Sequence, residues 1–270
     1  MHKAFSARGL VLTSIALVFA SCASPPRPKP VSESAKIEFH KTVGNELARK
    51  FEPHLAFRQE TVVTDYLEKI AHELVANTKG LLLPDITVKL IKNDAWKDYA
   101  LPGGKIYLSV STLRQMHYQN EIAAEIALQL AHLQREHVLE YFQKMKASEG
   151  SESAPAAAGP AEVLPGQLAP IPEEIDYFGT TGVFAFGEKQ DLAALQSAID
   201  ILYSAGYDVR GVISLWQVYL NNPQHSPYGD ARLTKMLDEA RRMIAQKAPL
   251  RNPIVRTEAF IAVQKRIKKL

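Results

Sequence analysis

Residues 119–137 read QNEIAAEIALQLAHLQREH, and the spacing inside this stretch decides the fold. Ile122, Ile126, Leu130 and Leu133 recur at three- and four-residue intervals, so they share one face of a helix. Ala123, Ala127, Leu128 and Ala131 widen that face. The pattern predicts a helix from Gln119 to about Lys146, buried on most of its sides.

Working outward, helical periodicity carries Ile37, Val43, Leu47 and Phe51. After Pro53 it carries Val62, Val63, Tyr66, Leu67, Ile70 and Leu74. Residues 86–91 and 105–110 read as strands, with the turn Pro102-Gly103-Gly104 just before the second. Beyond the central helix, residues 147–174 change to Ala, Pro, Gly, Ser and Glu without periodicity, which reads as a flexible insertion. Helical signal returns over residues 187–205, stops at Gly206 as a C-cap, and resumes over 209–220, 231–246 and 257–270. No internal repeat is present. The expected fold is α+β, mostly helical with a small sheet: one domain over residues 36–250, then a basic amphipathic helix within 251–270. In that last segment Lys265, Arg266, Lys268 and Lys269 follow Phe260, Ile261, Val263 and Ile267. Two readings stand for it, a terminal helix docked on the domain and a surface for a membrane or a partner.

The chain has 270 residues, 46% of them hydrophobic and 23% charged, which excludes a disordered chain, a collagen-like chain and a small disulfide scaffold. A lone cysteine, Cys22, excludes an intramolecular disulfide. The net charge of +3 is carried in part by Lys3 and Arg8, so the rest is close to neutral and advertises no nucleic acid.

Residues 1–21 have the form of a targeting segment. A basic start precedes the apolar run Gly9 to Ala20, which is shorter than the roughly 20 residues a membrane-spanning helix needs. Phe19-Ala20-Ser21-Cys22 resembles the end of a bacterial lipoprotein signal, which implies lipidation of Cys22 and membrane attachment through the lipid. An ordinary secretory signal with an incidental cysteine is the other reading. Ala23 after the cysteine, by resemblance to Gram-negative sorting rules, implies an outer-membrane lipoprotein facing the periplasm. Residues 22–35 would then be a lipid-anchored tether rich in proline and serine.

The order of features resembles the HtpX-like and CAAX-prenyl-protease-type zinc metallopeptidases, especially their periplasmic lipoprotein branch. Five segments carry the resemblance: Gly44 with the helix from Tyr66 to Leu74, residues 99–107, the helix 121–137, residues 205–208, and His225-Ser226-Pro227 with Arg232. It implies a gluzincin-like fold in which a His-Glu-x-x-His helix holds zinc. The two histidines, one turn apart, ligate the ion, and the glutamate takes a proton from the zinc-bound water. A glutamate from the next helix is the third ligand.

On this chain the five motif positions fall on Leu128-Gln129-Leu130-Ala131-His132, so only His132 is retained. Leu128 has no lone pair for a metal, and the amide of Gln129 is no general base. Counting back from Ala205-Gly206-Tyr207 puts the third ligand on Ala193 and its acidic neighbour on Leu195. Asp191 lies two residues before Ala193, roughly 200° around a helix, and is expected to point elsewhere. His132 and His137 are five apart, about 140° around a helix, and are expected to diverge. His72-Glu73 begins a similar motif, but its second histidine is Ala76. Glu173-Glu174 reads as solvated charge.

The expected function is therefore that of a pseudopeptidase, with no zinc or other cofactor, acting by binding a peptide or an unfolded or envelope protein in envelope assembly or quality control. In the related peptidases the strand edge after the glycine turn takes extended substrate by β-augmentation, which uses backbone hydrogen bonds alone. By that resemblance Ala100, Gly103, Gly104, Ile106 and Tyr107 are candidates for peptide binding; the other reading makes Pro102-Gly103-Gly104 a structural turn. The alternative function is an active zinc endopeptidase with non-standard ligands.

Overall fold

Successive residues of a strand face opposite ways, and here two strands are covered on both faces while a third leaves Thr87 and Lys89 exposed on one. The computed structural model describes residues 32–140 and 186–270 except 82, 84, 93–97, 224, 225 and 227, and these lie in one compact unit, Val31–Leu270. The leader, Cys22 and the 147–174 insertion lie outside the described residues. The four strands are β1 (Phe57–Arg58), β2 (Thr87–Ile91), β3 (Tyr99–Leu101) and β4 (Lys105–Ser109), in the order β1-β2-β4-β3. β2 and β4 pair in parallel, with Val88 opposite Ile106 and Leu90 opposite Leu108, while β1 and β3 pair antiparallel at the two edges.

The helices are α1 (Glu33–Phe51), α2 (Thr61–Ala76), α3 (Val110–Gln115), α4 (Gln119–Gln134), α5 (Glu188–Ser204), α6 (Gly211–Asn221), α7 (Asp230–Ala245) and α8 (Glu258–Ile267). The fold is the expected α+β, mostly helical with one small mixed sheet. α4 runs through the middle and packs on α2, α5, α6 and β3. Val88, Leu90, Ala100, Ile106 and Leu108 face this helical core. Their neighbours Ile91, Tyr99, Leu101 and Tyr107 face the other way, against Val43, Leu47, Ala48 and Phe51 of α1. Tyr99 and Tyr107 stack at 4.7 Å, and the Tyr107 hydroxyl donates to Glu52 Oε1 at 2.8 Å.

Three boundaries differ from the sequence reading. α1 begins at Glu33, where Ser32 caps it by accepting from the Ala35 amide, so the helix takes in the end of the stretch read as tether. The second strand stops at Ser109, and Val110 starts α3. The central helix ends at Gln134 instead of running to Lys146. Arg135 and Glu136 form a turn with Glu136 at φ 56°, and helix resumes over 137–140. A left-handed residue without a glycine breaks the hydrogen-bond ladder and turns the chain.

Gly44 and the Pro102-Gly103-Gly104 turn, far apart in sequence, meet here. A Cβ on Gly44 would lie 1.7 Å from the Pro102 carbonyl oxygen, so α1 seats against the turn only without a side chain. Gly104 has φ 87°, and a Cβ there would come within 2.3 Å of the Asp85 carbonyl. Because the obstacle at Gly44 is backbone, no rotamer relieves it. Gly44→Ala gains about 1 kcal/mol of helix propensity and forces α1 off the turn. The net expected loss is about 2 kcal/mol, seen as a lower urea midpoint at unchanged slope.

Candidate functional site

α4 carries the motif positions into the interior. Leu128, 4% exposed, is packed in the helical core. Gln129 is half-buried; its amide nitrogen donates to Glu125 Oε1 at 2.8 Å and reaches the Asp98 carbonyl at 3.5 Å. The second Glu125 oxygen accepts from the Tyr219 hydroxyl at 2.7 Å. Asp98 Oδ1 accepts from the Ser109 amide, whereas buried Oδ2 has no protein partner. Desolvation pushes both buried carboxyl groups above the usual range. For Asp98 the nearby Glu125 adds to it, and for Glu125 the bonds from Tyr219 and Gln129 pull partly back. Gln129 thus links the Glu125 carboxyl group to the backbone of Asp98, just before β3.

His132 lies one turn further on, buried, and here the structure corrects two expectations. His137 does not diverge from it: the two Nδ1 atoms are 3.0 Å apart, one ring donating to the other, because the turn at Glu136 brings residue 137 back over α4. Asp191 does not point elsewhere either. It is 2% exposed, and its Oδ1 lies 3.8 Å from His132 Nε2. Ala193 is only half-buried; the acidic group that α5 presents to His132 comes two residues earlier than the count back from Gly206 placed it. Asp191 shares its helix face with Ala194, Leu195, Ala198 and Leu202, all buried, and that spacing was a signal available in the sequence.

Asp191 also meets a cation, the guanidinium of Arg232 on α7, through Nη2 and Oδ2. This is an ion pair by proximity, since neither Asp191 oxygen accepts a well-formed hydrogen bond. The same Nη2 donates to the Phe186 carbonyl at 3.0 Å, and the Tyr228 ring lies 5.6 Å from the guanidinium carbon. The Phe186 ring covers His132, stacked at 4.2 Å and 17°. The cavity touching His132, lined also by His40, Pro102, Glu136 and Leu139, has a volume of about 10 Å³. That is room for no more than a water.

Of the strand-edge candidates, Ala100, Gly104, Ile106 and Tyr107 are buried and Gly103 is half-buried; α1 and α4 pack on β3. His72 and Glu73 lie on α2, where Glu73 Oε2 accepts from the Tyr207 hydroxyl at 3.0 Å. Ser226 is buried and bonded to the Tyr228 carbonyl, while His225, Pro227 and the Glu173-Glu174 pair lie outside the described residues. Among the described residues, no group of three His, Cys, Asp or Glu is placed to hold a metal ion. None of the described helices is long and apolar enough to cross a membrane.

A sequence profile described as Peptidase family M48 matches residues 62–240, which takes in α2 through most of α7. No curated protein matches the chain.

Two buried groups give opposed pH dependences. Burial, with the charges of His137 and Arg232, pushes the His132 imidazole down to about 3 from its ordinary 6.5. Burial pushes the Asp191 carboxyl up to about 7 from 3.8, against the pull of Arg232. A lowered imidazole makes stability rise with pH between about 3 and 6.5; a raised carboxyl makes it fall with pH between about 3.8 and 7. In the parent protein the two slopes largely offset. Asp191→Asn removes the second, so its melting temperature should climb more steeply than the parent's as pH rises from about 4 to about 6.5. Parallel curves for the two proteins would contradict the assignment.

Proposed function

We propose that this chain, which belongs to peptidase family M48, is a non-hydrolysing member that works by binding protein or peptide at the cell envelope, held there by a lipid on Cys22. The observation that carries the reading is the filled site around His132. The positions that would supply a ligand and a base hold Leu128 and Gln129, and the Gln129 amide is engaged with Glu125. The Asp191 carboxylate faces the Arg232 guanidinium, and Phe186 lies on the imidazole.

These residues do not fit a zinc ion. A divalent cation beside Asp191 would sit against the fixed positive charge of Arg232, and the His132 Nδ1 lone pair or proton is already engaged by His137. Neither is there an oxygen or nitrogen at residue 129 that could take a proton from water at neutral pH. With about 10 Å³ beside His132, no peptide side chain enters.

Without hydrolysis, what the fold offers a partner is backbone and surface. Of the candidates, Ile106 and Tyr107 belong to β4, which is paired on both sides by β2 and β3, so the strand after the glycine turn is no free edge; the proposed place for an extended peptide narrows to the outer edge of β3, at Ala100. Envelope assembly or quality control, on the periplasmic side of an outer membrane, is the setting that the lipoprotein-type leader supports.

The test is elemental analysis of the purified chain followed by a peptidase assay with and without chelator. The expected result is substoichiometric zinc and no chelator-sensitive cleavage. Stoichiometric zinc with cleavage abolished by chelator establishes the active endopeptidase instead. Restoring the motif with Leu128→His and Gln129→Glu is expected to leave the protein inactive, because Arg232 still holds Asp191.

A further inference from the structure

α8 presents a face that the core does not use. Phe260, Val263 and Ile267 are buried, so its apolar stripe is spent on the domain, against α2 and α3. The helix is held firmly: the Thr257 amide and hydroxyl both donate to Gln119 Oε1, at 3.1 and 2.7 Å, and Gln264 Nε2 donates to the His117 carbonyl at 3.0 Å. What remains outward is mostly basic, with Glu258 in the first turn the acidic exception. An open groove of about 380 Å³ lies beside the helix, lined by His117, Tyr118, Arg256, Gln264, Lys265 and Lys268. No carboxylate lines it.

Apart from Arg266, the cations here lack the carboxylate partners that those of α7 have. On α7, Lys235, Arg241 and Arg242 each pair with a carboxylate. At α8, Lys268 donates to the Arg114 carbonyl and Arg256 to Gln264 Oε1, and only Arg266 meets an acid, Glu60 at 3.1 Å. Lys265 and Lys269 have no side-chain partner among the described residues. A basic last turn complements the helix dipole, and that accounts for Lys265 and Arg266. The same holds for Arg114 in the last turn of α3, but not for Arg256, which precedes α8.

Exposed large apolar side chains gather on the same elements. Those that stand out among the described residues are Val62 at 47%, Tyr118 at 44% and Ile261 at 39%. Tyr118 lines the groove, Ile261 is on α8, and Val62 is on α2, which packs against α8. Cations mostly without a carboxylate partner, beside an exposed tyrosine and aliphatic side chains, are the composition of a surface that rests on an anionic bilayer. The cations take lipid phosphates, and the apolar groups enter the headgroup layer.

We propose that the α8 face, with Arg256, Lys265 and Lys268 around the groove and Tyr118 and Ile261 beside them, docks the domain on an anionic phospholipid surface. The inference rests on the anchored reading above for the presence of a bilayer nearby; the charge and exposure are independent of it. A lipid on the N-terminus would fix only a point, and this face would fix the orientation of the body.

The experiment uses the mature chain from Ala23 to Leu270, without Cys22 and its lipid, and vesicles of phosphatidylcholine alone or mixed with phosphatidylglycerol. Co-sedimentation is expected with the anionic vesicles only, to be lost in high salt and to be insensitive to added inorganic phosphate at the same ionic strength. Arg256→Glu, Lys265→Glu and Lys268→Glu together should weaken it by roughly a hundredfold with an unchanged circular dichroism spectrum. Lys265→Gln with Lys269→Gln, at positions without folded-state partners, should give a smaller loss. Equal binding to both vesicle types, binding to neither, competition by phosphate, or unchanged binding by the charge-reversed chain would each overturn the proposal. None of these readings depends on metal content or peptidase activity, so the non-hydrolysing reading stands or falls separately.

Discussion

A helix buried on nearly all sides leaves its polar side chains no water to turn to, and α4 is such a helix. Each of its buried polar groups has to recruit a partner from another element or lose the free energy of solvation, roughly 1–3 kcal/mol for an unpaired neutral group and more for a charge. Asn120 donates to the Asp208 carbonyl at 3.1 Å. Glu121 accepts from the Tyr118 amide at 3.0 Å and from the Ser214 hydroxyl. Glu125 takes Tyr219 from α6, and His132 takes His137 from the segment that follows. The polar residues of one helix thereby select the positions of the loops and helices around it. α6 is placed by this as much as by apolar packing, since it supplies both Ser214 and Tyr219.

The same constraint explains the form of the site around His132. An imidazole kept neutral by burial and a carboxylate on the facing helix form a polar pocket in an apolar interior. Left with a charge and no counterion, that pocket would be strongly destabilising. Arg232 answers this from α7 while keeping part of its side chain in water, at 30% exposure, so the desolvation it suffers is limited. Phe186 then covers the imidazole face. Phe186 and Arg232 thus close the pocket over with its charges facing one another. Such closure follows from the residues lining it and does not depend on Leu128 alone.

The helices and the two longer strands were legible because their burial follows a simple period. That β4 is covered on both faces was not read: Lys105 to Val110 is mostly apolar, whereas Ile86 to Leu90 alternates, with Thr87 and Lys89 exposed. β1 and β3, with two and three residues, are too short to leave a period and are defined by their pairing. The proximity of His132 and His137 was not legible. It depends on a left-handed backbone at Glu136, which neither glycine nor proline announces, so the continuous-helix geometry gave the wrong angle. Asp191 was legible but misread. Its place on the buried stripe of α5 pointed inward, while the angular argument used Ala193 as a reference that is itself not on the inner face. Helix angles predict direction only when the reference residue's own burial is known.

α8 illustrates how a single amphipathic pattern can be divided between two uses. Its period predicted one apolar and one basic face, and both a docked helix and an interfacial helix satisfy that description. The structure assigns Phe260, Val263 and Ile267 to the domain. A helix whose apolar stripe is already buried cannot insert deeply into lipid, so any membrane contact must be made by charge and by the few apolar groups at the margin of the stripe, Ile261 among them. Contact of that kind is shallow, sensitive to salt and weak on its own. A tether that holds the body near the surface would strengthen it, because a high local concentration of headgroups multiplies the affinity. Under the proposed anchoring, a lipid on Cys22 and the basic helix would act as one device, the first supplying proximity and the second orientation, and neither would require a catalytic centre.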